Sequence, residues 1–155
     1  MNIEDVQPWV ATLLAGQADL AEVPILQDDG TYPKTPGREA ALTGKGLVLV
    51  VWQIESDHLV DQTPKGAAIE SVLVPVVIEE NLAVNRAPGG TGVPAMKALR
   101  LVREALVGRR SEPSTILVPA DPPFRNFGTV NGVHRIAVFF AVDLDIPAKP
   151  PAPPP

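Results

Sequence analysis

Few side chains in this sequence are spaced as a reaction centre needs them. Cysteine is absent, which removes thiol nucleophiles, disulfide frameworks and thiolate zinc sites together. His58 follows Asp57, and His134 precedes Arg135. Without a His-x-His or His-x-x-x-His spacing, the pair is read as ordinary surface or half-buried histidines and not as metal ligands. Ser56, Asp57 and His58 are consecutive, and adjacency in the chain is poor geometry for a nucleophilic triad. None of Ser56, Ser71, Ser111 and Ser114 sits in a Gly-x-Ser-x-Gly turn. Gly89-Gly90-Thr91-Gly92 precedes a helical pattern, and helix N-termini attract anions. Ala95 and Met96 break the dinucleotide spacing and no Gly-Lys-Ser/Thr follows, so the segment reads as a mobile loop. Thr43-Gly44-Lys45-Gly46 leads into a strand where a phosphate loop must lead into a helix. Glu79 and Glu80, with Glu55, suggest a carboxylate cluster, but acids at strand ends are expected to mark solvated edges. These residues supply no catalytic set, and the sequence implies no cofactor or metal.

The elements that would position any site follow from hydrophobic spacing. Ile3, Val6, Val10, Leu13 and Leu14 trace one helical face, with Asn2 as cap, Glu4 and Asp5 in the first turn and Gly16 as stop. Pro8 falls beyond the first turn and moves the expected start toward Gln7. Residues 24–44, with three prolines and Asp28-Asp29-Gly30, read as a long surface loop. Residues 46–55 form a strand by their β-branched and aromatic content, 56–68 a polar connection, and 70–80 a second strand. Pro75 argues for an edge position or a bulge in that second strand. Residues 81–93 read as a flexible loop. Pro94 opens a helix to Val107 whose apolar face is Met96, Leu99, Val102 and Leu106, with Gly108 as its stop. A short strand is expected at 115–118. Residues 124–130 and 133–146 flank Asn131-Gly132, a strong hairpin signal. The tail, 147–155, holds six of the eighteen prolines and is expected to be disordered, extended polyproline. The fold class is thus a single α+β domain over 1–146: a mostly antiparallel sheet of four to five strands, two helices on one face, and a closing β-hairpin at Asn131-Gly132.

These strands are apolar on both sides. In the first, Leu47, Leu49 and Val51 alternate with Val48, Val50 and Trp52; in the last, Ile136, Val138 and Phe140 alternate with Ala137, Phe139 and Ala141. Two helices cover one face, so the other needs either the loops 24–44 and 56–68 or a neighbouring subunit. The second cover makes the chain an obligate oligomer. Charge is also uneven: residues 1–30 hold six acids and no Lys or Arg, while 86–110 hold six bases and one acid. Solvated faces, attraction within one subunit, or head-to-tail association would each account for this. The last makes Lys97, Arg100 and Arg103 contacts for Glu4, Asp5 or Asp19 of the next copy. A net charge of −5 disfavours nucleic-acid recognition. No apolar run is long enough to span a bilayer, and residues 1–16 do not resemble a signal peptide.

The pattern resembles the tail terminator (tail completion) proteins of tailed bacteriophages and prophages. The resemblance rests on the N-terminal helix 3–14, the strand GLVLVVWQIE, SVLVPVVIEEN, the loop NRAPGGTG, the helix PAMKALRLVREAL and the hairpin FRNFGTVNGVHRIAVFFAVDL. The proline-rich tail and residues 24–44 do not map onto it. It implies a non-enzymatic subunit forming a homo-oligomer, typically a hexameric ring, on the end of the tail tube. There it would end polymerisation and meet tube protein and neck or head-completion proteins, in the virion tail and, during assembly, the host cytoplasm. Alternatives are another minor tail or neck component, or a small ligand-binding or enzymatic α+β domain with a closed pocket near the 81–93 loop, His58 or His134. A further one is an adaptor whose proline tail, with Lys149, docks an aromatic groove.

Overall fold

The computed structural model describes residues 1–62 and 68–146, with residues 57–62 as backbone only; the expected polyproline tail lies outside the described residues. The fold is α+β: a six-stranded mixed sheet with four α-helices and one 3-10 turn. The elements are α1 (Ile3–Ala15), the turn Ala18–Leu20, β1 (Ile25–Gln27), α2 (Arg38–Gly44), β2 (Leu47–Val51), β3 (Glu55–Gln62), β4 (Ala68–Asn81), α3 (Leu82–Asn85), α4 (Ala95–Leu106), β5 (Val118–Val130) and β6 (Val133–Ile146). The strand order is β1-β2-β4-β6-β5, with β1 parallel to β2 and every other pairing antiparallel.

β4 organises the sheet. One of its edges pairs with β6 along its whole length, from Ala68–Ile146 to Asn81–Val133. The other edge is shared: Val76–Glu80 pair with β2 and Ala68–Leu73 with β3. Pro75 therefore lies in a central strand, against the edge position expected for it. Its carbonyl accepts from Trp52 N–H at 2.9 Å, and in a strand the N–H of the same residue points to the same side. The missing donor thus faces Trp52 at the gap between the end of β2 and the start of β3, where the ladder on that edge is interrupted.

The large core lies on one face, where α1 (Val6, Val10, Leu14) and α4 (Ala98, Leu99, Val102, Ala105, Leu106) pack on Leu49, Val76, Ile78, Ile136, Val138 and Phe140. Three alanines in the α4 stripe (Ala95, Ala98 and Ala105) are buried, and Met96, expected in the core, is 54% exposed. Small side chains let the helix axis come close to the sheet, so the stripe is turned from the one the larger residues suggest. α1 begins at Ile3, with Asn2 N–H donating to the Asp5 carboxylate at 3.3 Å. Pro8 stands inside the helix, which the buried Val6, Val10 and Leu14 hold in place on both sides of it.

Of the two covers expected for the opposite face, the chain's own 24–44 segment is the one observed, and no neighbouring subunit is needed there. Residues 24–44, expected to be loop, contain β1 and α2. Ala41 and Leu42 of α2, with Leu26 and Tyr32, cover Val48, Val50, Val77 and Ala137 in a second core. The turn leading into α2 is fixed by the buried Asp28, which accepts from Tyr32 N–H and Thr35 Oγ1, each at 3.0 Å. The doubly apolar centre of the sheet is sealed by the chain itself. Three smaller corrections follow. The segment 56–68, expected as a loop, contains most of β3 (Glu55–Gln62) and the start of β4; the segment 115–118 is an isolated bridge between Arg110 and Ile116; and β5 starts at Val118, six residues before the expected hairpin.

Candidate functional site

Glu79 and Glu80 are not at a solvated edge. Both are buried, 0% and 2% exposed, and alternation along β4 sends them to opposite faces of the sheet. Glu55, expected beside them, is exposed and pairs with Leu73 near the middle of β4.

Glu80 faces the large core. Its carboxylate accepts from Asn85 Nδ2 at 2.8 Å and from Ala95 N–H, in the first turn of α4, at 2.9 Å. The positive end of that helix is thus occupied by a carboxylate of the chain itself, which explains why the glycine-rich segment before it is no phosphate loop. The segment is also no loose loop. Asn85, 1% exposed, donates to Val93 C=O at 2.8 Å and accepts from Gly92 N–H at 3.1 Å and from Thr91 Oγ1. The backbone packs so closely there that a methyl group at Gly46 or Gly90 would overlap backbone atoms of Asn85.

Glu79 faces α2. It accepts from Tyr32 O–H at 3.0 Å, from Arg38 through Nε and Nη2 (2.7 Å), and from Arg135 through Nε (2.9 Å), whose Nη2 is ion-paired with the same oxygen at 2.8 Å. Burial pushes the Glu79 carboxyl up, but the hydrogen bonds from Arg38 and Arg135 outweigh it and hold the group below the ordinary carboxylate range. Burial and the neighbouring Glu79 push the Tyr32 hydroxyl up to about 12. Each guanidinium carbon lies 5.4 Å from the Tyr32 ring centre, and Trp52 meets that ring edge-on with centroids 5.0 Å apart. Two arginines thus share one carboxylate. They also line a recess of about 310 Å³ between α2 and the hairpin tip, with Phe127, Val130 and Val133 among its walls.

A second surface lies on the other face. α4 and β5 bound an open groove of about 560 Å³ formed by Met96, Leu99, Val107 and Phe124, with Arg100, Arg103 and Glu104 along it. β5 is an edge strand, at the end of the sheet opposite β1. It carries Val118, Phe124, Phe127 and Val130 at 41, 37, 54 and 67% exposure.

The residues expected at an interface between copies are all on the surface. Lys97, Arg100 and Arg103 form the outer side of α4, and Arg100 donates to Glu104 one turn on at 2.7 Å. Glu4, Asp5 and Asp19 are exposed, and among the described residues none of them is ion-paired with an α4 base. α1 and α4 nevertheless lie side by side on the same face. His134 is half-buried and hydrogen-bonds Asn126 at 2.9 Å; the His58 side chain lies outside the described residues. Ser56 bonds the Glu70 carboxylate. Among the described residues no group of three His, Asp or Glu side chains could hold a metal ion, and no helix is long and apolar enough to cross a membrane.

Sequence reasoning missed Tyr32, Arg38, Asn85, Phe127 and Arg135. The available signal was an acid pair ending an apolar run of seven residues, Val72–Ile78. A charge adjoining that much buried surface needs a partner, and Arg135 directly precedes the facing apolar run. No family model matches the sequence, and no curated protein matches it.

Proposed function

We propose that this chain is a structural subunit of a tailed bacteriophage or prophage that works as a homo-oligomer, in the manner of a tail terminator. In that reading it caps the tail tube as a ring, ends tube polymerisation and offers its other surface to the neck. The fold class and the order of the main elements agree with the resemblance. The observation that carries the assembly reading is the exposed apolar side chains on both faces of the edge strand β5: Phe124 beside Met96 and Val107 of α4 on one face, Phe127 and Val130 on the α2 side.

The physical reason is specific to an outer strand. Pro119, Pro122 and Pro123 remove donors from the first half of β5. Its second half, Phe124–Val130, keeps its donors and has no further strand beyond it among the described residues. Soluble monomers usually blunt such an edge with charge, yet the only charged residue there is Arg125. An edge that pairs with a different surface of the next copy makes a head-to-tail contact, which closes into a ring when the rotation per subunit allows it. The basic outer side of α4 and the acidic end of α1 give such a contact its register.

Sedimentation velocity with negative-stain imaging of the purified protein tests this. The expected result is a mass of several subunits and rings with a central pore. A monomer throughout the concentration range would overturn the proposal. Reversing charge at Arg100 and Arg103 (both →Glu) is expected to lower the oligomer mass with the circular dichroism unchanged; an unaltered mass removes these residues from the interface.

A further inference from the structure

We propose that the recess between α2 and the tip of the β5–β6 hairpin is an oxyanion-binding site, which takes a carboxylate or phosphate group on Arg135 and Arg38. The inference does not depend on the assembly reading.

The argument starts from charge. Glu79 carries one negative charge and the two guanidiniums carry two positive ones, so the cluster keeps one uncompensated positive charge. Arg38 alone satisfies a buried carboxylate: its Nε and Nη2 form a fork on Glu79, and its Nη1 donates to Pro33 C=O at 3.1 Å. Its side chain is 16% exposed. Arg135 adds one hydrogen bond to Glu79 Oε1 through Nε, with Nη2 ion-paired to the same oxygen, but is 40% exposed, and its Nη1 has no acceptor among the described residues. A guanidinium with five donors in a fixed plane recognises an oxyanion by presenting two of them at once. The free side of Arg135 is the one that remains for it.

The surroundings favour an anion over water. Both arginines line the recess, whose other walls include Phe127, Val130 and Val133. Apolar walls lower the local dielectric and strengthen a charge-assisted hydrogen bond. The site is also held in place before any ligand arrives. The Tyr32 ring stands 5.4 Å from each guanidinium carbon, and Glu79 fixes both from beneath, so neither arginine needs to be ordered by the ligand. Arg125, paired with Ala137 on the same sheet face as Arg135, adds positive potential along the approach. Asn131 at the turn supplies an uncharged amide at the mouth of the recess.

The test is an NMR titration of the full chain with inorganic phosphate at constant ionic strength. Saturable shifts are expected at the Nε–H groups of Arg135 and Arg38 and at the amides of Gly128 and Val133, with a Kd of about 1 mM or below, as for one bidentate charge-assisted contact. Arg135→Gln should weaken binding roughly tenfold or more. Because Arg135 also supports Glu79, a second variant keeps the test clear of folding: Val130→Asp, at a position 67% exposed, places a like charge at the mouth and should abolish the shifts while the circular dichroism and thermal transition are unchanged. Shifts that do not saturate, or that persist in both variants, would overturn the site. Sedimentation in the same phosphate series separates two sources of the natural anion. If phosphate lowers the oligomer mass, the group is a carboxylate of a second copy; if mass is constant while the shifts saturate, it is a free anion. Either result supports the site.

Discussion

Neighbouring carboxylates Glu79 and Glu80 do different work because a strand sends consecutive side chains to opposite faces. Glu79 is a buried charge held by two arginines, and removing one member of such a group leaves the others unpaired and desolvated. Glu79→Gln is expected to destabilise the fold by about 3 kcal/mol or more, read from urea unfolding. The pH dependence has a definite sign. The folded-state pKa of Glu79 is depressed below its ordinary 4.5, so its contribution is fully present above about that pH and is lost as pH falls through the lower folded value. Tyr32 behaves oppositely: raised from 10.0 to about 12, it contributes fully below pH 10 and loses that contribution as pH rises through about 12. Stability measured against pH should therefore fall at both ends. Glu79→Gln is expected to flatten the acid limb and Tyr32→Phe the alkaline one; a limb of unchanged steepness would show that other groups set it.

Segments that look like loops in the sequence are held by single buried side chains. The 81–93 segment closes around Asn85, which bonds Glu80, Val93, Thr91 and Gly92. Asn85→Ala leaves several of these groups buried without partners, and each such group costs about 1–3 kcal/mol. The expected outcome is a loss of about 2 kcal/mol or more, with faster amide exchange at residues 91–95. Gly46 has φ +79° and lies against the Asn85 backbone, so Gly46→Ala combines a steric overlap with a strained conformation and should be at least as damaging. Outer side chains of the same elements obey a different rule. Phe127→Ser and Val130→Ser change exposed positions of β5 and are expected to alter monomer stability by no more than about 0.5 kcal/mol while lowering the oligomer mass in sedimentation.

At the scale of the whole molecule, the chain seals the middle of its own sheet and leaves apolar side chains of the edge strand β5 exposed. Apolar strands on both faces make the sheet look unable to stand alone, but α2 and the 26–32 segment cover the second face between β1 and β6. In the assembly proposed above, the drive to associate would thus come from the sheet edge and the α4–β5 groove, an interface that forms after each subunit has folded. A combined Phe127→Ser and Arg103→Glu variant should then remain a folded monomer, with a cooperative thermal transition. A variant that unfolds instead would mean that association and folding are one process.

Sequence alone determined the elements whose periodicity is strong: α1, α4, β2, β4 and the hairpin at Asn131-Gly132, where Asn131 adopts φ 52° and Gly132 φ 77°. Local spacing settles these because each forms one buried face or one tight turn. Only the tertiary structure decided that 38–44 is a helix, that 55–62 is a strand and that Glu79, Arg38 and Arg135 meet. The α2 segment is short and weakly patterned, so its helix depends on Ala41 and Leu42 finding Val48 and Val77. The charge cluster joins residues 41 and 56 positions apart, and the pairing register of β4 with β6 that brings them together is a long-range property no local pattern contains.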